Sequence, residues 1–301
     1  MAGSTAHILQ ALGANAVIAA SKGVAAVITG SGALMAETIH SAADCGNQLL
    51  LLFGVKQSRR PADATHPLGY GRALYFWSFM VALLLFVGGG VYSIYEGIHK
   101  LQHPEAVESI LVGVIVLAVA LAIEGWATYG NIVELNKRRG AVPFFRFLRQ
   151  TKDSDLVVIF GENSAAVLGL VLALVALLLA KTTGDGRWDA VGSLAVGVVL
   201  VGVAIFLAVE VKSLLVGEGA DPVIETAARE IAAADPNVEG VLRVLTVQQG
   251  PGEVVVAMKV KFKPGMATGG ALCDAINGFE RKLEARVPEV KWTFIEPDVV
   301  D

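Results

Sequence analysis

Six windows of the chain, roughly residues 8–30, 33–56, 73–98, 107–133, 155–180 and 188–211, remain predominantly apolar. Each is about as long as the 20 residues that an α-helix needs to cross a hydrocarbon core. From residue 212 onward the apolar runs shorten and charges alternate with them. There "DPVIETAAREIAAAD" opens with Asp221 placed as an N-cap and Pro222 at the first helical position. "VLRVLTVQ" and "EVVVAMKVKF" read as strands joined by a turn at Gly250, Pro251 and Gly252. The second strand alternates cleanly, with Val254, Val256, Met258, Val260 and Phe262 on one face and Lys259 and Lys261 on the other. A helix after Thr268 would align Leu272, Ile276, Phe279 and Leu283, and "EVKWTFIE" supplies a last strand. The pattern predicts an α-helical membrane protein: six transmembrane helices over residues 1–211, then an α-β-β-α-β domain over residues 212–301 with helices on one face of a three-stranded sheet.

Composition agrees with the pattern. Hydrophobic residues make up 54% of the 301 residues and charged ones only 17%, against about one quarter charged in soluble domains; the mean hydropathy is +0.60. A net charge of −4 gives no reason to expect nucleic acid as a partner. Cys45 and Cys273 stand far apart without a CxxC, which argues against a disulfide framework or a zinc knuckle. The start "MAGSTAHILQ" has neither a basic n-region nor a cleavage site, so the first apolar segment is expected to be retained. The placement of charge says more than its sum. Lys56, Arg59, Arg60 and Arg72 follow the second window, and Lys137, Arg138, Arg139, Arg146, Arg149 and Lys152 follow the fourth. Only Lys100, Lys181 and Arg187 follow the first, third and fifth. This alternation puts both termini, and the tail, on the cytoplasmic side.

Polar residues inside the windows are the candidate chemistry. In "ETIHSAADCGNQ", Glu37, His40, Asp44 and Gln48 recur at three- and four-residue spacing and so share one helix face. An ionisable group at mid-membrane costs several kcal/mol and is by default functional. His40 and Asp44, at i and i+4, can grip one metal ion, and imidazole with carboxylate suits zinc and similar divalent metals. The alternative is a His–Asp hydrogen bond that locks two helices. In "GENSAAVLG", Glu162 or Asn163 could complete a metal site begun in the second window. Gly161, Ala165, Gly169 and Ala173 form a small-residue seam that explains close packing but not Glu162. Glu124 is either a proton acceptor or the partner of buried Lys22, and the ion pair is favoured because an unpaired buried lysine is so costly. Asp189 reads as a structural N-cap at the start of the sixth window. Asp63 and His66, in "PADATHPLGYGR", form either a second, weaker metal site or a solvated turn. The tail has no histidine, so a high-affinity zinc site is not expected there.

"TGSGALMAETIHSAADCGNQLLLLFGVKQSRRPADATHPLGYGRALYFWSF" and "WDAVGSLAVGVVLVGVAIFLAVEVKSLLVGEGADP" resemble, in order, segments of the cation diffusion facilitators, and within them the bacterial branch similar to mammalian zinc transporter nine. The resemblance covers nearly the whole chain. It implies a homodimer of six-span subunits in the cell inner membrane, a cytoplasmic ferredoxin-like tail, and exchange of a divalent cation for protons. It also implies that two positions four apart on span two, here His40 and Asp44, meet two residues on span five. The branch pattern there is Glu-Asp, where this chain has Glu162-Asn163, so an amide replaces one expected carboxylate. A second loop histidine expected by the family is Tyr70 here, and the tail's metal ligands are missing.

The expected function is therefore efflux of a divalent metal, zinc first and manganese, iron(II), cobalt or nickel next, in exchange for protons. No permanently bound cofactor is implied. The alternative is a metal-responsive membrane sensor or scaffold without transport. An enzyme is not expected, since HExxH, a nucleophile elbow and a phosphate loop are all missing.

Overall fold

The computed structural model describes residues 2–103, 107, 109–151, 154–264 and 269–300; within them the side chains of residues 2–11, 14, 150 and 154–156 are outside the description. Thr268, expected before the second tail helix, and Lys152, counted among the basic loop residues, lie outside the described residues. The chain forms two compact units, one of residues 1–54, 76–149 and 154–211, the other of residues 55–75, 150–153 and 212–301.

The first unit is helical. α1 (Ala2–Thr29) and α2 (Gly32–Ser58) are followed by α3 (Ala73–Leu84), a π-helical segment (Leu85–Val91) and α4 (Tyr92–Gln102), which together make one span. α5 (Ile110–Arg139), α7 (Ser154–Thr183) and α8 (Arg187–Val216) complete the six, with a short α6 (Phe144–Gln150), not foreseen in the sequence, between α5 and α7. The third to sixth spans are long and apolar enough to cross a membrane by composition alone. In α2 a polar face of buried Glu37, His40, Ser41 and Asn47 lowers the average. The π segment holds Gly88, Gly89 and Gly90, and glycine brings this span close to α8. A Cβ on Gly97 would stand 2.8 Å from the backbone nitrogen of Leu194.

Asp189 corrects one expectation. It lies in the first turn of α8, yet its carboxylate caps α2. The amides of Gly32 (2.6 Å) and Ala33 (3.3 Å) and the hydroxyl of Ser31 all donate to it. Lys100, at the end of α4, sits 3.6 Å away and also donates to the carbonyl of Gly30. The first amides of a helix have no partner within it, and a bilayer offers them no water. A carboxylate at that positive end satisfies them.

The second unit carries the tail. α9 (Pro222–Ala233) starts where expected, with the Asp221 side chain accepting from the Val223 amide at 2.9 Å. β1 (Val238–Gly250) pairs antiparallel with β2 (Glu253–Phe262), and β2 pairs parallel with β3 (Val290–Pro297), giving the order β1-β2-β3. Gly252 turns the hairpin at φ +67°, a conformation that favours glycine. The crossover to β3 is α10 (Gly269–Arg286). Val254, Val256, Met258 and Val260 face a core with Ile224, Ala228, Ile231, Phe279 and Leu283. Ala275 takes a buried place on α10, while Leu272 and Ile276 are half-buried. The other sheet face carries Leu245, Ala257 and Phe294 directly across from one another, and Leu245 and Phe294 are each 56% exposed.

Two outcomes follow from these contacts. Asp189→Ala leaves Lys100 and the α2 amides without their anion and should cost about 3 kcal/mol, read as a lower melting temperature of the purified protein. Residues 212–301 should fold alone with metal chelated, and Leu283→Ala should destabilise that fragment by about 2–5 kcal/mol in urea titration.

Candidate metal centre

The helical spacing of α2 turns Glu37, His40, Ser41 and Asn47 into one buried strip, with half-buried Asp44 on the same face. His40 is fully buried, with Nδ1 3.6 Å from Asp44 Oδ1. Neither ring nitrogen of His40 has a hydrogen-bond partner among the described residues; nor do Asp44 Oδ1, the Asn47 side-chain oxygen or Gln48 Oε1. Each such atom costs about 1–3 kcal/mol when left unsatisfied in an apolar interior. The strip thus carries an imidazole, a carboxylate oxygen and two amide oxygens that have no partner among the described residues.

α7 contributes Glu162, whose Oε1 accepts from Asn47 Nδ2 at 2.6 Å. Successive helical residues point about 100° apart, so Asn163 does not share the direction of Glu162; its backbone carbonyl accepts from the hydroxyl of Thr128 on α5 at 3.4 Å. Further along α7, Gly169 leaves room for the Glu37 carboxylate, which would overlap a Cβ there. Among the described residues no three His, Cys, Asp or Glu side chains are gathered closely enough to hold an ion. His40–Asp44 and Asn47–Glu162 are two adjoining pairs along one strip.

Lys22 on α1 is fully buried, and its partners are Glu37 (3.2 Å) and the hydroxyl of Ser41 (2.8 Å). This corrects the expectation that Glu124 pairs with it. Glu37 lies on the buried face of α2, whereas Glu124 is half-buried on α5.

The loop residues close on themselves. Asp63 Oδ1 accepts from the amides of Thr65 and His66 (both 2.8 Å) and the Thr65 hydroxyl (2.7 Å); Oδ2 accepts from Tyr70 (2.7 Å). Bonds from the Thr65 and Tyr70 side chains and the loop amides hold the Asp63 carboxyl well below the usual carboxylate range. The His66 ring packs on Tyr70, with centroids 4.0 Å apart. These are the bonds of a solvated turn.

Asn47 is the residue the sequence reading passed over. It lies three positions beyond Asp44 on the same face, so the spacing that selected Gln48 selects it equally.

A strip of imidazole, carboxylate and amide groups on α2 is thus faced by a carboxylate on α7 within a helical unit that has long apolar helices. Residues 8–216 match the cation efflux transmembrane domain, and the chain belongs to this family, the cation diffusion facilitators. Over 280 residues it is 31% identical to the human proton-coupled zinc antiporter SLC30A9, mitochondrial, covering 91% of this chain and 49% of that protein. The Xenopus laevis protein of the same name is 34% identical over 244 residues, 80% of this chain and 44% of that one. Magnetosome protein MamB of Magnetospira sp. (strain QH-2) is 26% identical over 275 residues, 90% of this chain and 86% of that one. The chain spans about half the length of the SLC30A9 relatives.

Asn47→Ala removes the bond that orients Glu162. If Glu162 takes part in binding, Zn2+ affinity measured by calorimetry should fall about 10- to 100-fold, the usual effect of losing an outer-shell partner; unchanged affinity separates the Asn47–Glu162 pair from the site.

Proposed function

We propose that the protein exports a divalent metal ion, zinc first, in exchange for protons, and that His40, Asp44 and Glu162 carry the ion at mid-membrane. The observation behind this reading is the set of buried, unanswered nitrogen and oxygen atoms on His40 and Asp44 beside Glu162. Zinc accepts imidazole nitrogen and carboxylate oxygen together. Asn47 orients Glu162 through one carboxylate oxygen and leaves the other for the ion. Protonation of His40 removes the lone pair that binds the metal, and protonation of the carboxylates removes the charge that attracts it. A site exposed alternately to the two sides then returns protons as it releases metal. The names of the human and Xenopus relatives, proton-coupled zinc antiporters, support the same exchange, as does the Arabidopsis thaliana relative called metal tolerance protein C4. The protein moves its substrate unchanged, so it is no enzyme.

The rest of the proposal concerns placement. The basic loops after spans two and four support an inner-membrane protein with both termini cytoplasmic. Residues 1–211 form the transmembrane domain and residues 212–301 a cytoplasmic dimerisation domain. The apolar sheet face of Leu245, Ala257 and Phe294 supports a homodimer. The second reading, a sensor without transport, rests on Asn163 standing where a carboxylate is expected. Because Glu162 is the residue bonded to α2, that amide takes no charge from the α2–α7 pair, and transport is the better reading.

In liposomes with a lumen more acidic than the bath, the wild-type protein should accumulate Zn2+. Asp44→Ala should reduce flux to the level of protein-free liposomes while leaving elution volume and melting temperature unchanged. Undiminished flux in that variant removes Asp44 from the path, and a wild-type protein that binds Zn2+ without moving it makes the sensor the right reading.

A further inference from the structure

The third span ends in a histidine pair that the transport site does not use. His99 lies in the last turn of α4, and His103 caps that helix. A four-residue separation stacks side chains on one helix face. The two rings are 5.0 Å apart between centroids and tilted by 34°, and both residues are exposed. The sequence explains the geometry of His103. Pro104 follows it, and the residue before a proline is pushed out of the helical region. His103 accordingly leaves the helix at φ −127°, ψ 73°, while its amide still closes on the His99 carbonyl at 3.0 Å. Its ring Nδ1 lies 3.3 Å from that same oxygen. A carbonyl can only accept, so Nδ1 is the donor in this contact, and in the neutral ring Nε2 keeps its lone pair. Metal-binding histidines are set in this manner, with one ring N–H given to a backbone carbonyl and the other nitrogen left for the ion. Lys100, the next residue, reaches Asp189 and the Gly30 carbonyl inside the bundle, which leaves the imidazoles on the outer side. An aromatic belt at a membrane surface accounts for Tyr95, stacked on His99 at 6.2 Å. It does not account for two imidazoles with one tautomer fixed.

We propose that His99 and His103 form a second divalent-cation site, at the far end of the third span from its entry loop. Two imidazole nitrogens select zinc and neighbouring first-row ions over magnesium or calcium. Water fills the remaining coordination positions, so the ion exchanges readily. Such a site meets the cation at the membrane surface, outside the span that carries Asp44. The proposal stands on these two residues alone and does not depend on proton exchange.

The test is histidine labelling with diethyl pyrocarbonate on the full-length protein in lipid nanodiscs, read by mass spectrometry, with Zn2+ as the only probe. Zn2+ should slow modification of both His99 and His103, about tenfold at a free concentration about ten times the dissociation constant. The protection should be the same in Asp44→Ala. In His103→Ala, at unchanged melting temperature, His99 should lose its protection. Labelling that Zn2+ does not alter overturns the site. So does protection of His99 that survives His103→Ala, or protection that vanishes in Asp44→Ala. Failure of the transport reading shows in liposome flux and leaves these labelling outcomes intact.

Discussion

A charge inside a bilayer must find its partner within the protein, and the ammonium of Lys22 meets that demand on α2. Its bonds to Glu37 and Ser41 tie α1 to the same helix that carries His40 and Asp44. Losing either partner would leave an uncompensated charge in an apolar interior, among the costliest defects a fold can carry. Gly169 on α7 admits the Glu37 carboxylate, so the pair also brings a third helix to the strip. The polar face of α2 is therefore organised first by charge neutralisation, and His40 lies one turn further along.

The two halves of that strip differ in how well they are answered. Lys22 bonds one oxygen of Glu37 and the Ser41 hydroxyl, and Asn47 bonds one oxygen of Glu162, while Glu37 Oε1 and the Asn47 side-chain oxygen have no partner among the described residues. Between them, His40 and Asp44 face each other at 3.6 Å without a hydrogen bond. Stability would favour apolar residues at these two positions. Their unanswered atoms, beside the Lys22–Glu37 pair, are a local cost of the kind that proteins tolerate at functional sites.

Much of this was legible in the sequence because it follows from periodicity. The six spans, the Asp221 cap, the Gly250–Gly252 turn and the buried face of β2 are each fixed by residues close together in the chain. The helix face of His40 and Asp44 follows from the same spacing. What was not legible depends on which helices meet. Lys22 could have paired with any buried acid, and only packing selects Glu37 over Glu124. Asp189 was read as capping its own helix, because a capping rule describes the nearest amides in sequence, whereas the carboxylate satisfies those of α2, more than 150 residues away. Asn47 could have been found by counting, but its bond to Glu162 could not. The shortened α6 comes from a loop with no periodic signal long enough to mark it.

The cap on α2 also has a mechanical meaning. With Gly32 and Ala33 bonded to Asp189, and Lys100 fastening that carboxylate to the end of α4, one end of α2 is a fulcrum shared by three spans. Asp44 lies twelve residues from Gly32, which at 1.5 Å per residue is a lever arm of about 18 Å. A swing of about 5° about the fulcrum displaces Asp44 sideways by roughly 1.6 Å on that arm, and displacement grows toward Ser58. Small tilts of α2 are thereby amplified at Asp44, while the pinned end stays still.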